Sequence, residues 1–124
     1  MSSLRKNDLV AGPNAAWLWY LPAIVVLIGL AWHQGRSWLW LPAFSVMGVA
    51  CLANAARCGR LHCYVTGPVF LLTALYLLFT VFQIVPLYAG PTILIVVGIT
   101  ALSFLVERSL GTYRGNNKDP CKTC

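Results

Sequence analysis

Four long apolar runs, separated by short polar or turn-forming segments, dominate the chain. The first, AAWLWYLPAIVVLIGLAWH, covers about residues 15–33. The second, WLWLPAFSVMGVACLANAA, covers about 38–56, with little more than QGRS between the two. The third, PVFLLTALYLLFTVFQIVPLY, covers 68–88 and opens on Pro68, at a first-turn position where the missing N–H costs nothing. Ala89 and Gly90 turn the chain into the fourth run, PTILIVVGITALSFLVE, residues 91–107, which opens on Pro91. Each run approaches the ~20 residues needed to cross a hydrocarbon core of ~30 Å. The pattern predicts an all-α fold, an integral membrane four-helix bundle of two antiparallel hairpins over residues 15–107. Residues 1–14 form an N-terminal segment, and the turn-rich 108–124 a flexible tail. Pro22, Pro42 and Pro86 lie near the ends of their runs, where a lost backbone bond is more easily repaired.

Composition agrees with lipid as the solvent. Hydrophobic residues make up 59 % of the 124 and charged residues 10 %, against about 25 % charged in an ordinary soluble domain. The net charge of +6 does not point to nucleic acid, because the basic residues gather at the ends of the apolar runs. Arg5, Lys6, Arg57, Arg60, Arg108, Arg114, Lys118 and Lys122 share one side of the predicted topology, and Arg36 stands alone on the other. The positive-inside rule then puts both termini and the 57–67 loop in the cytoplasm. Trp17, Trp19, Tyr64 and Tyr113 fall at the inner interface and Trp32, Trp38, Trp40 and Tyr88 at the outer, as an aromatic belt requires. WLWYLPA and WLWLPAF resemble each other but open helices of opposite direction, so they read as two Trp anchors. The first run is longer than a signal-peptide core and lacks a small-x-small cleavage site, which predicts a retained helix.

Hydrolytic chemistry finds no support. There is no Ser/His/Asp set, no glycine-rich phosphate loop and no pair of carboxylates; Asp8, Glu107 and Asp119 all lie near the predicted inner surface. Ser45, Asn54, Thr73, Thr80, Gln83, Thr100 and Ser103 are few enough to serve as hydrogen bonds between helices.

The five cysteines carry more. Cys51 lies in the second run, Cys58 and Cys63 flank His62 in the basic loop, and Cys121 with Cys124 form a C-x-x-C at the end of the tail. All five are expected near the cytoplasmic face, where structural disulfides are rare and metal binding or transient redox chemistry is the better reading. Gly48, Cys51, Ala55 and Cys58 recur at spacings of three and four, a small-residue stripe that serves helix packing or lines a thiol-bearing route. If the helix continues past Gly59, Cys58 and His62 share a face and Cys63 follows. Thiolate and imidazole suit Hg(II), Cu(I) or Zn(II), and Arg57 and Arg60 supply positive charge that favours thiolate in the loop. The terminal pair is not a prenylation box, since Lys122 and Thr123 are not aliphatic.

A small chain of hairpinned helices, with a span-borne thiol and a cytoplasmic cysteine pair, resembles the mercuric-ion transport proteins of bacterial mercury resistance. The resemblance lies in the architecture of residues 15–107 and in the cysteine-bearing segments; the first span, which carries a cysteine pair in that family, has none here. It implies a multi-pass protein of the bacterial inner membrane that passes a soft ion inward. Cys121 and Cys124 would be the handover pair to a cytosolic acceptor or reductase, and Cys58 and Cys63 a loop pair. The first expectation is therefore soft-metal transport or handover by thiolate exchange, without an enzymatic step, through Cys51, Cys58, His62, Cys63, Cys121 and Cys124. A second is a membrane thiol/quinone oxidoreductase, with Cys121 and Cys124 as shuttle and Cys58 and Cys63 as inner pair. A third is a non-catalytic small subunit of a homo- or hetero-oligomeric membrane complex, in contact with lipid.

Overall fold

A computed structural model describes residues 16–111, which are helical throughout apart from the connections and contain no strand among the described residues. A π-helical turn, Ala16–Tyr20, leads into α1, Leu21–Ala31; then follow α2, Arg36–Cys58, α3, Leu61–Val81, and α4, Ala89–Leu110. Three of the four, α2, α3 and α4, are long and apolar enough to cross a membrane; α1 is apolar but shorter.

The shortness of α1 departs from the expected 15–33 span and has two local causes. Pro22 has no N–H and its ring crowds the carbonyl one turn earlier, so the backbone just upstream widens into the π turn. At the other end, the Arg36 guanidinium takes the carbonyls that a longer helix would use: Nε donates to Gly29 O at 2.9 Å and Nη2 to Leu30 O at 3.0 Å. An arginine supplying donors to the last carbonyls is a cap by side chain.

α2 ends where its sequence provides a left-handed residue: Gly59, at φ 65°, donates its N–H to Ala55 O. Only Gly59 and an extended Arg60 separate α2 from α3. The predicted 57–67 loop is therefore helix, and α3 begins at Leu61 rather than at Pro68. The buried positions His62, Cys63, Thr66, Gly67, Phe70, Thr73, Ala74, Leu77 and Thr80 keep one helical period straight across Pro68. α3 also stops early, at Val81 instead of Tyr88. Gln83 turns left-handed at φ 58°, and Tyr76 then holds the descending strand of chain, its hydroxyl donating to Pro86 O and accepting from Tyr88 N.

The tightest packing joins α2 to α3. A Cβ added at Gly48 would lie 2.8 Å from the Leu71 side chain, and one at Gly67 2.8 Å from that of Leu52, so the backbones approach as closely as glycine permits. Contacts run from Asn54–Cys63 beside the Gly59 turn to Ser37–Thr80 at the far ends. Gly48, Cys51 and Ala55 of the small-residue stripe are all buried. α1 rests on α2 through Trp40, whose Nε1 donates to Val26 O at 2.9 Å over Gly29. α4 rests on α3, and between α1 and α4 lies an apolar cavity of about 450 Å³.

Candidate thiol site

The residues that the Gly59 turn brings together form a polar cluster in an otherwise apolar protein. Cys51, Asn54 and Cys63 are fully buried, and Thr66, His62 and Glu107 almost so. Short side chains on α2 face short side chains on α3, and the glycine seam closes the gap enough for them to meet. The Cys51 and Cys63 thiols are neighbours across the helix pair. Cys51 Sγ lies 3.3 Å from Thr66 Oγ1, whose own proton goes to His62 O at 2.9 Å, so the thiol is the donor to the hydroxyl. Cys63 Sγ accepts from Asn54 Nδ2 at 3.7 Å and lies 3.3 Å from His62 Nε2.

His62 is oriented from α4. Its Nδ1 is hydrogen-bonded to Glu107 Oε2, and its ring stacks on Phe104 with centroids 4.4 Å apart. A carboxylate can only accept, so Nδ1 carries the ring proton and Nε2 presents a lone pair to Cys63. The other Glu107 oxygen meets Arg60 Nη2 at 3.4 Å. Arginine, carboxylate, imidazole and thiol thus stand in one line, the arrangement of a nucleophile, a base and the group that orients the base.

The expected site residues are distributed differently from the sequence reading. Gly59 breaks the helix, so Cys58 and His62 lie on separate helices and the proposed shared face does not exist. Cys51, expected on the stripe of small residues that leads to Cys58, instead meets Cys63. Arg60 reaches Glu107 and Arg57 occupies the last turn of α2. The side chain of Cys58 and the tail pair Cys121 and Cys124 lie outside the described residues. Among the described residues, no three or more His, Cys, Asp or Glu side chains converge as a metal cage. The reason is geometric: both nitrogens of His62 are already engaged, one by Cys63 and one by Glu107, so the groups form a chain rather than a shell.

Sequence reasoning noted Glu107 only as a surface acid and did not single out Thr66 or Phe104. One signal was available: Thr66 stands four residues from His62 in a run with helical period. Glu107 could be tied to His62 only by the docking of α4.

Beside the cluster is a cavity of about 300 Å³, with Cys51 and His62 in its wall among the rings of Trp19, Tyr20, Phe70 and Phe104. Comparison with protein-family models, with curated proteins and with solved structures finds no match for this chain.

Proposed function

We propose that this chain is a membrane-embedded dithiol–disulfide couple, with Cys51 and Cys63 as the reacting sulfurs and His62 as their base. The single observation that carries the reading is the line Cys51–Cys63–His62–Glu107: two thiols in contact, one against an imidazole whose tautomer a buried carboxylate sets. Ionisable groups inside apolar spans are costly and are retained for function. A structural pair of cysteines needs no oriented base, whereas thiol–disulfide exchange requires a thiolate and a second sulfur in reach.

In the forward direction Cys63 yields its proton to His62 Nε2 and Cys51 passes its own to Cys63. The sulfur on the cavity wall is then the anion. A two-electron acceptor takes up the two electrons and two protons as Cys51 Sγ joins Cys63 Sγ; a dithiol with C-x-x-C spacing, such as Cys121 and Cys124, reduces the pair again by exchange and is itself left as a disulfide. The charge bias of the sequence supports a cytoplasmic position for this end of the helices, with two antiparallel hairpins and both termini inside, and the reading takes the membrane to be a bacterial inner membrane.

A full-length variant with Cys58, Cys121 and Cys124 changed to Ser tests the couple. Diamide treatment in detergent micelles is expected to close one intramolecular disulfide, identified by peptide mass spectrometry as Cys51–Cys63. His62→Ala slows closure roughly 10²-fold near neutral pH, the lower range of general-base effects. Both thiols remaining open to alkylation after diamide would refute the reading.

The contact between two thiols also favours a second reading, the soft-metal handover expected from sequence. Thiolates select Hg(II) and Cu(I), and two facing sulfurs suit an ion of low coordination number. Titration of the same variant with Hg(II) discriminates: one ion per chain, blocked by prior diamide closure, supports handover; no uptake removes it.

A further inference from the structure

The cavity at the thiol pair has two chambers of different chemistry. The first, about 300 Å³, is walled by aromatic rings, with the buried Cys51 and His62 among its lining residues. The second, the 450 Å³ space between α1 and α4, is lined by aliphatic side chains such as Val26, Leu27, Ile93 and Val97. Met47, Phe70, Thr100 and Phe104 belong to the walls of both, so the chambers adjoin. Thr100 Oγ1 is buried there without a hydrogen-bond partner. A buried hydroxyl left unsatisfied is uncommon and calls for a missing acceptor.

We propose that this double cavity binds a prenylated quinone, which takes the two electrons of the Cys51/Cys63 pair. The inference rests on the dithiol reading above and names its electron acceptor. A quinone has the two halves that the chambers require: a flat ring whose carbonyl accepts from Thr100 and which stacks among aromatic side chains, and a hydrocarbon tail. A phospholipid acyl chain fits the aliphatic chamber, but it leaves the hydroxyl, the thiol and the imidazole unused.

The chemistry balances. The Cys51 thiolate adds to a ring carbon, forming a C–S bond, while one carbonyl oxygen receives the electron pair and the proton held by His62. His62, neutral again, takes the remaining proton of Cys63. The Cys63 thiolate attacks Cys51 Sγ, forming the S–S bond and breaking the C–S bond. The released electron pair returns to the ring as a quinol anion, which takes the second proton from His62. Two thiols and one quinone become one disulfide and one quinol.

The test uses the full chain with only Cys51 and Cys63 retained, reduced and held without oxygen in micelles. Decylubiquinone is expected to be converted to quinol in a one-to-one ratio with Cys51–Cys63 disulfide. Quenching of Trp19 fluorescence reports binding separately, checked by its loss in Trp19→Phe. Thr100→Val weakens that binding about tenfold, the loss of one hydrogen bond. Ala101→Trp, in the aliphatic chamber, weakens decylubiquinone more than a tailless quinone. If diamide closes the disulfide but saturating quinone neither quenches Trp19 nor closes it, the quinone site falls and the dithiol couple stands. If diamide also fails, both fall. Phospholipid retained at one per chain and not displaced by quinone identifies an acyl chain as the occupant and overturns the proposal.

Discussion

The seam between α2 and α3 and the outer face of α4 are built from similarly apolar stretches, yet they end in opposite environments. In the most apolar window of α2, 44 % of the residues are buried inside the protein; in that of α4 the share is 11 %. Hydrophobicity therefore does not select the partner. In lipid an apolar side chain gains little by leaving one hydrocarbon environment for another, so close packing and polar contacts decide which helices join. α2 and α3 have glycines in register with leucines and a buried set of thiol, amide and hydroxyl groups. α4 has large exposed side chains, Leu94, Leu102 and Leu105 among them, and reaches the seam chiefly through Glu107 and Phe104 at one end.

That contrast can be broken most severely at its one polar junction. Glu107→Leu leaves His62 and Arg60 without their shared carboxylate, and removing one partner from a buried charged set costs about 3–5 kcal/mol. Equilibrium unfolding in mixed micelles is expected to show that loss, while Leu102→Ala, a few residues away on the exposed face, stays within about 0.5 kcal/mol.

Glycine substitutions separate the two regions next. Gly48→Ala and Gly67→Ala push a methyl to within 2.8 Å of a leucine on the facing helix and are expected to cost about 1–3 kcal/mol each through overpacking. At Gly98 of α4 nothing lies within 4 Å of the added Cβ, so the same change is neutral or stabilising by up to about 1 kcal/mol from helix propensity. Equal sensitivity at Gly48 and Gly98 would refute the account of the seam.

Smaller effects refine the picture. Trp40→Phe removes the indole bond that ties α2 to Val26 O of α1 and is expected to lower stability by about 1 kcal/mol. Thr80→Val removes the link to Ser37 at the far end of the seam, for about 0.6 kcal/mol, the average of polar contacts between membrane helices.

Much of this architecture was legible along the chain. Apolar runs locate the helices and the stripe through Gly48, Cys51 and Ala55 marks a packing face, while the sequence alone leaves open whether the second helix ends at Gly59. Sequence and structure part at the prolines. Pro68 looked like a helix start, but its exposed position in the second turn of α3 lets the helix pass through it. Pro22 looked harmless and instead coincides with the π turn that shortens α1. The site was only half legible: Cys51, His62 and Cys63 were singled out, but His62 was joined to Cys58 along one helix, because spacing in sequence reports neighbours on a single element and nothing across the turn.

By itself, then, the sequence determined a lipid-compatible helical protein with sulfur and a histidine concentrated near one turn, since apolar period and helix-stop chemistry are local properties. Only the tertiary structure decided which sulfurs meet and which carboxylate orients the imidazole. Those contacts join residues 12 and 45 positions apart, Cys51 to Cys63 and His62 to Glu107. They exist because two glycines let α2 and α3 close to the distance at which a thiol on one reaches a thiol on the other.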